Sequence, residues 1–182
     1  MATLEERKSA LRAELKRRPR PSPDASQAAQ ERLLGSGLLT GTVGLYRALP
    51  SECGTELLAA ELGERACFPR VVTGQAELEF RRPGGRWKRG ALGIEEPAGA
   101  IVPLGQIDVL VLPALAVDAQ GRRLGRGRGH YDATLARFAG RSIALIYEFQ
   151  LVPQVPVGEH DRRVDAVCTE ARLVLVPGSA AP

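Results

Sequence analysis

The stretch that most constrains the fold is residues 107–132, IDVLVLPALAVDAQGRRLGRGRGHYD. It begins with an apolar run of the kind found in a central strand that is buried on both faces. A loop at 121–129, with four glycines and four arginines, then leads into a predicted helix at 131–138. A buried strand followed by a glycine-rich turn and a helix is typical of α/β domains, which bind ligands at the carboxyl ends of their strands.

The rest of the chain also alternates short apolar runs with helical patterns, which predicts a single α/β domain over residues 1–176. We expect a central, largely parallel sheet flanked by helices, and 182 residues allow one substantial core. Residues 83–106, rich in glycine, proline and charge, should have little regular structure, and residues 177–182 should form a disordered tail. The predicted helices are 3–18, 22–35, 55–62 and 131–138, and the predicted strands are 42–48, 66–72, 78–82, 108–117, 143–149 and 173–176.

Composition narrows the class of protein. The net charge of +4 comes with both signs interspersed, which is modest for a dedicated nucleic-acid binder and suits an anionic small ligand equally well. Cys53, Cys67 and Cys168 are far apart and form no C-x-x-C pair, which argues against a disulfide framework and a zinc site. The sequence contains neither an apolar run of roughly 18 to 20 residues nor a signal peptide, so we expect a soluble, cytoplasmic protein.

The loop after the central strand has the composition of a polyphosphate cradle. Gly125, Gly127 and Gly129 would let the backbone approach a phosphate chain, while the arginines between them supply charged hydrogen-bond donors. The loop matches neither the P-loop nor the dinucleotide-binding fingerprint. The alternative is a flexible, RGG-like segment that binds RNA. A single short copy between a core strand and an amphipathic helix argues against that alternative.

Two acidic residues are candidates for binding magnesium, the ion that usually accompanies polyphosphates. Asp132 follows the glycine-rich loop, and Asp161 ends the segment PVGEHD. Magnesium prefers one or two carboxylates together with phosphate oxygens and water. From spacing alone, however, a helix cap at Asp132 and a turn residue at Asp161 are the stronger interpretations.

Three further features each have a functional and a structural interpretation. Lys8 and Arg12 are neighbours on the first predicted helix, where a solvated basic face is the ordinary explanation. Glu52 lies in a turn from which it could reach the carboxyl edge of the sheet, although such a residue is more often a surface acid. Trp87 either covers a planar ligand or plugs the edge of the core, and we favour the plug.

Taken together, these motifs resemble the 5-formyltetrahydrofolate cyclo-ligase family, also called methenyltetrahydrofolate synthetase. The resemblance covers nearly the whole chain. It is carried by K-x-x-x-R (Lys8, Arg12), the turn with Glu52, LGIEEP ending at Pro97, IDVLVLPALAVD followed by RRLGRGRGHYD, and residues 148–170 with Gln150, Pro156, His160 and Asp161.

The resemblance implies an enzyme that uses ATP and Mg²⁺ to convert 5-formyltetrahydrofolate to 5,10-methenyltetrahydrofolate. ADP and phosphate would be released, and the reaction would pass through a phosphorylated formyl group, an imidate phosphate. It also implies the α/β fold of glucosamine-phosphate deaminases, ribose-phosphate isomerases and CoA transferases. The expected partner is the folate, whose tail could be polyglutamylated, with no nucleic-acid or membrane partner and a monomeric protein.

The resemblance also implies roles for particular residues. The expected ATP site comprises Lys8, Arg12, Arg123, Leu124, Gly125, Arg126, Gly127, Arg128, Gly129, His130 and Tyr131. The expected folate site comprises Arg47, Glu52, Arg126, Gly127, Arg128, Gly129 and His130. Magnesium would be bound by Asp132 and Asp161, and Arg126, Arg128 and Tyr131 would take part in the phosphoryl transfer.

Two residues depart from the family pattern. Relatives usually read G-K-G-[YF]-Y-D, where this chain has Arg128 in place of the lysine and His130 in place of the aromatic residue. Arg128 keeps the charge in a bulkier group, and His130 can titrate. We expect activity to survive with a weakened or altered substrate preference. The alternatives are another ATP-dependent activating enzyme on the same scaffold and, with weaker support, a nucleic-acid-binding protein.

Overall fold

The computed structural model describes residues 2–18, 22–90 and 93–178. In chain order the helices are α1 (Leu4–Lys16), α2 (Pro23–Leu34), α3 (Glu56–Leu62) and α4 (His130–Leu135). The strands are β1 (Val43–Gly44), β2 (Ala66–Val71), β3 (Leu78–Arg81), β4 (Trp87–Arg89), β5 (Glu95–Pro97), β6 (Ile101–Val102), β7 (Val109–Leu112), β8 (Ala116–Val117), β9 (Arg123–Leu124), β10 (Arg141–Leu145), β11 (Ala166–Cys168) and β12 (Leu173–Leu175).

An eight-stranded sheet runs through the molecule in the order β12-β11-β10-β7-β1-β2-β3-β6. Its inner strands, from β11 to β2, are all parallel. The edges are antiparallel, with β12 on one side and β3 and β6 on the other. The α/β prediction with a largely parallel sheet is therefore confirmed, whereas the expected domain boundary at residue 176 stays a prediction.

The central strand β7 is buried at every position, as its apolar sequence predicts, and apolar clusters cover both faces of the sheet. Beside it, the second and last residue of β1 is a glycine. A Cβ on Gly44 would come within 2.4 Å of Leu110 and 3.0 Å of Phe80. The smallest residue is therefore needed at this position, where the side chains of Leu110 on β7 and Phe80 on β3 cover the backbone of β1.

Several predicted boundaries were wrong. The single strand predicted at 108–117 is two strands in the structure. β7 ends before Pro113, which cannot donate a ladder hydrogen bond, and β8 pairs with β9 in a separate hairpin. The strand predicted at 42–48 is only two residues long. Residues 83–106 were expected to be irregular, yet they contain β6 and the β4–β5 hairpin.

The first helix begins as predicted. Thr3 and Glu6 form a reciprocal capping box, in which each side chain bonds to the backbone N–H of the other residue. Leu15 is buried against Leu115, Leu124 and their neighbours, which fixes α1 over the β8–β9 hairpin. Pro19 and Pro21, which separate the first two predicted helices and would end the first of them, lie outside the described residues, as do residues 179–182 of the predicted tail. None of the described helices is long and apolar enough to span a membrane.

Candidate functional site

A cavity of about 330 Å³ opens at the carboxyl ends of β1, β2 and β7. This is the edge at which parallel α/β sheets bind ligands. Every residue predicted for the site contributes to its wall. These residues are Lys8, Arg12, Arg47, Glu52, Arg123, Leu124, Gly125, Arg126, Gly127, Arg128, Gly129, His130, Tyr131, Asp132 and Asp161.

The glycine-rich loop forms one wall, between β9 and α4. Gly127 has a φ of 92° and Gly129 a φ of 74°, a left-handed conformation that glycine adopts without strain. Arg12 from α1 lies against this loop and donates from Nε to the carbonyl oxygen of Gly125, at 3.2 Å. The glycine-rich loop therefore lines the cavity with its backbone, and its Gly125 carbonyl oxygen holds Arg12 of the first helix.

Arg123 is a buried cation with an unused donor. Only 4% of the residue is exposed, and Nη2 pairs with Oδ1 of Asp132 at 2.8 Å. Its Nε is buried and has no hydrogen-bond partner among the described residues. A buried N–H without a hydrogen-bond partner destabilises the protein. A ligand oxygen that accepted a hydrogen bond from this N–H would therefore be favoured here.

Lys8 crosses from α1 to the last loop of the site. Its ammonium lies 2.5 Å from Oδ2 of Asp161, and only 12% of the lysine side chain is exposed. The interpretation of Lys8 and Arg12 as a solvated face is therefore wrong. Burial alone would raise the pKa of Asp161, but the hydrogen bonds from Lys8 and from the Gly158 N–H outweigh it, so that pKa is lowered.

The two candidate magnesium ligands lie in the same cavity, each beside a cation. Asp132 is in the first turn of α4, but Gly129 is the N-cap residue, so the helix-cap interpretation of Asp132 is wrong. Asp161 accepts the N–H of Gly158 and so is a turn residue as well as the partner of Lys8. No group of three or more potential metal ligands occurs within residues 2–18, 22–90 and 93–178. Two carboxylates suit magnesium that arrives already bound to phosphate oxygens and water.

Glu52 and Arg126 join opposite walls of the cavity. Nε of Arg126 lies 2.8 Å from Oε1 of Glu52, and Nη2 donates to the hydroxyl of Ser51 at 2.9 Å. The second oxygen of Glu52 accepts the N–H of Leu49 at 2.9 Å. Glu52 is thus a largely buried, fully hydrogen-bonded carboxylate, and its interpretation as a surface acid is wrong.

Trp87 plugs the edge of the core, as favoured above. It packs edge-on against Phe68, with ring centroids 5.1 Å apart, and is not among the described residues that line the cavity. The Arg47 guanidinium lies over the indole at 4.8 Å and pairs with Glu95 at 3.0 Å. Trp87 therefore supports the cavity indirectly, by fixing Arg47 at its rim.

The end of the glycine-rich loop carries three residues of different character. Burial raises the pKa of Tyr131, so its phenol stays protonated at neutral pH. His130 Nδ1 lies 2.9 Å from the carbonyl oxygen of Ala76, which connects the loop to the β2–β3 turn. Arg128 is exposed and makes no ion pair with any other residue that the structure describes.

The apolar part of the cavity was not predicted. It is built largely from strand ends and connections, where apolar residues carry no pattern that distinguishes a ligand contact from ordinary core. Glu96 was also missed, although the motif LGIEEP containing it was noticed. The additional lining residues are Glu5, Tyr46, Leu49, Pro69, Val71, Leu78, Ile94, Glu96, Pro113, Ala114 and Leu115.

The fold and the cavity together define an α/β enzyme whose site is built for an anionic small molecule. Residues 4–170 match the model of the 5-formyltetrahydrofolate cyclo-ligase family, and the chain belongs to that family. It is 34% identical to the 5-formyltetrahydrofolate cyclo-ligase of Mycolicibacterium smegmatis, over 92% of this chain and 96% of that protein. It is 31% identical to the mouse enzyme of the same name, with the same coverage of each chain, 92% and 96%.

Solved structures agree with this assignment. The NMR structure of 5,10-methenyltetrahydrofolate synthetase from Aquifex aeolicus superimposes with a TM-score of 0.81 at 27% identity, covering 96% of this chain and 95% of that one. The corresponding synthetase from Mycoplasma pneumoniae has a TM-score of 0.72 at 21% identity, over 90% and 98% of the two chains, and supports the fold. The expected likeness to glucosamine-phosphate deaminases, ribose-phosphate isomerases and CoA transferases stays a prediction.

Proposed function

We propose that the protein closes 5-formyltetrahydrofolate to 5,10-methenyltetrahydrofolate in a reaction driven by ATP and Mg²⁺. The observation that carries the proposal is that one cavity unites all the family motifs. Lys8 and Asp161, which are 153 positions apart in sequence, are in direct contact there. The expected monomeric state, cytoplasmic location and polyglutamylated substrate remain predictions.

The nucleotide would bind between α1 and the glycine-rich loop. Lys8, Arg12 and Arg123 supply positive charge, and Nε of Arg123 supplies the donor that lacks a partner among the described residues. Lys8 and Arg123 now neutralise Asp161 and Asp132. In the proposed complex both cations turn to phosphate oxygens and both carboxylates to the metal. When bound, magnesium would neutralise charge on the phosphates.

The reaction needs positioning and charge neutralisation more than a protein nucleophile. The formyl oxygen attacks the γ-phosphorus, forming an O–P bond as ADP leaves. N10 then attacks the formyl carbon and loses its proton, while the C–O bond breaks and phosphate departs. Arg126 and Arg128 would stabilise the transferred phosphoryl group. Tyr131, which remains protonated, is suited to donate a hydrogen bond rather than to act as a base.

The folate would contact Arg47, Glu52 and loop residues 126–130. Arg126 and Glu52 already touch across the cavity, so substrate entry between them would exchange their mutual ion pair for contacts with the ligand. A second candidate is the activation of another amide-like or carboxylate substrate on the same scaffold. The observation that favours it is the changed loop, in which Arg128 is exposed and His130 is bound to Ala76.

The direct test mixes purified protein with Mg-ATP and 5-formyltetrahydrofolate and follows the near-ultraviolet absorbance of the methenyl product. We expect an ATP-dependent rise that is lost in Asp132→Ala and in Arg126→Ala. Arg137→Ala is the matched control, because Arg137 is exposed, pairs with Glu77 and lies outside the cavity. A flat trace from folded wild-type protein that binds ATP would reject the folate reaction and favour the second candidate.

A further inference from the structure

Glu96 is a buried carboxylate of the cavity to which neither the family motifs nor the proposed reaction assigns a task. It lies in β5 and is 9% exposed. Its Oε1 accepts the N–H of Val71 at 3.0 Å. Its Oε2 accepts no hydrogen bond from the described residues and has only Nε of the exposed Arg70, at 3.6 Å. That separation is too long for a hydrogen bond, so with respect to residues 2–18, 22–90 and 93–178 this oxygen retains its accepting capacity.

The neighbours of Glu96 make this end of the cavity apolar. Val71 pairs with Leu78 across β2 and β3, and Pro69 and Ile94 complete the wall. A Cβ on Gly90 would fall 2.1 Å from the carboxyl carbon of Glu96, so the carboxylate lies directly over Gly90 of its own β4–β5 hairpin. The phosphate-binding side is made by different elements, namely α1, β9 and the glycine-rich loop.

A carboxylate in such surroundings is stabilised by a ligand that donates hydrogen bonds in a plane. Glu52, the other largely buried carboxylate of the wall, already uses both oxygens, one on Arg126 and one on the N–H of Leu49. Apolar walls beside a carboxylate suit a planar heterocycle whose edge carries adjacent N–H groups: Oε2 of Glu96 would accept one donor, and Oε1, which receives a single hydrogen bond from Val71, has a second lone pair for the other. In a folate, the pyrimidine ring of the pterin has this edge, at N3–H and the 2-amino group.

We propose that Glu96 recognises the N3–H and 2-amino edge of the pterin and so determines specificity for the folate ring. The inference rests on the proposed function, because it takes the folate as the occupant. Held in this way, the pterin has its pyrimidine ring among Val71, Leu78 and Ile94. Its other ring, which carries N5 and the formyl group, then faces the arginines of the glycine-rich loop.

The experiment compares binding of 5-formyltetrahydrofolate with binding of the analogue whose 2-amino group is replaced by methyl, using calorimetry on the whole protein. Wild-type protein should prefer the natural ligand by about 10- to 100-fold, the range expected for hydrogen bonds to a charged group. In Glu96→Gln the preference should fall to about threefold or less, while ATP affinity is unchanged. Glu79→Gln, a β3 carboxylate paired with Arg81 outside the cavity, and Arg70→Ala should keep the full preference.

The possible outcomes separate this proposal from the proposed function. If wild-type protein turns over 5-formyltetrahydrofolate and Glu96→Gln still discriminates against the analogue, the assignment of Glu96 fails alone. The assignment also fails if Glu52→Gln, and not Glu96→Gln, loses the preference for 5-formyltetrahydrofolate over the analogue. An equal loss of both folate ligands and of ATP, with a lower unfolding temperature, would mean that Glu96 only supports the fold. If wild-type protein neither binds nor converts the folate, the proposed function fails, and this inference with it.

Discussion

At the scale of single residues, ion pairs inside the cavity have measurable consequences. Asp161 is held by Lys8 and by the N–H of Gly158, and its pKa is lowered in the folded protein. A carboxyl whose folded pKa is depressed stabilises the fold above its unfolded pKa, about 4, and this stabilisation is lost as pH falls through the folded value. The contact between α1 and the 158–161 loop should therefore weaken in acid.

We predict that Asp161→Asn reduces the fall in unfolding free energy between about pH 6 and pH 3, because the variant has no carboxyl to protonate at this position. Denaturant titrations at several pH values would measure the effect. Glu159→Gln is the control, since Glu159 is exposed in the same loop. Identical pH profiles for wild type and Asp161→Asn would contradict the role given to the Lys8 pair.

Arg128 offers a second test at this scale. Because its side chain is exposed and forms no ion pair within the described part of the chain, Arg128→Lys should change the unfolding free energy by less than about 0.5 kcal/mol. The lysine also restores the usual family residue, so kcat should stay within about tenfold of wild type. Arg128→Ala should lower kcat/KM by about 10- to 100-fold through loss of a charged donor. Steady-state kinetics would check both, and an unaffected Arg128→Ala would remove Arg128 from the transfer step.

At the scale of elements, the glycine in β1 leaves room for the side chains of Leu110 and Phe80 to pack against the backbone of that strand. Gly44→Ala should destabilise the protein by about 1–3 kcal/mol, because its Cβ would overlap Leu110 and press on Phe80 in a packed core. Gly105→Ala is a matched control, since Gly105 is exposed and a Cβ there meets nothing within 4 Å. Chemical denaturation of both variants would measure the difference. Equal stabilities would show that the sheet relaxes around the extra methyl group.

Sequence patterns predicted the elements whose signals are local. The buried run of β7, the glycine-rich loop and the capping box at Thr3 and Glu6 each follow from neighbouring residues. The β4–β5 hairpin could not be predicted in this way, because its strands are short and largely charged. Distant contacts hold it in place, namely Trp87 against Phe68 and Glu96 on the N–H of Val71. Tertiary packing thus overrides weak local propensity there.

The predicted strand at 42–48 was too long for a similar reason. The last hydrogen bond from this segment to β2 is donated by the N–H of Leu45 to the carbonyl oxygen of Cys67. Tyr46, which follows, is buried with its hydroxyl donating to the carbonyl oxygen of Cys53 at 2.6 Å. Thr55 donates in turn to the carbonyl oxygen of Tyr46 at 2.6 Å. These bonds fold the segment into the turn that carries Glu52. An apolar run gives no indication of this turn.

At the scale of the whole molecule, the cysteines are structural. Cys53, Cys67 and Cys168 are buried and unpaired, and desolvation raises the pKa of each thiol to about 12. Because a raised pKa favours the thiol over the reactive thiolate, native protein at about pH 8 should not react with a thiol reagent on the minute timescale. In concentrated guanidinium all three thiols should react, so that the reagent releases three equivalents of its coloured leaving group per chain. Rapid labelling of native protein would contradict the burial described for these residues.

The site as a whole could be predicted only through the resemblance to a family. Local spacing favoured a solvated face for Lys8, a surface acid for Glu52 and a turn for Asp161, since none of these residues has its ligand-binding partners nearby in sequence. The fold brings them together at one edge of the sheet. Only the glycine-rich loop carried a signal strong enough to be recognised by itself.

The contact between Lys8 and Asp161 also affects how the enzyme is made. A ribosome releases α1 long before it has synthesised either the β8–β9 hairpin that Leu15 packs against or the loop at 158–161 that Lys8 binds, so the docking of α1 is completed only when that last loop emerges. Catalytic competence would thus appear late in translation, as α1 docks on a nearly finished domain. Nascent chains stalled before the β8–β9 hairpin has emerged should retain an α1 that proteases can cut, whereas full-length chains should protect it.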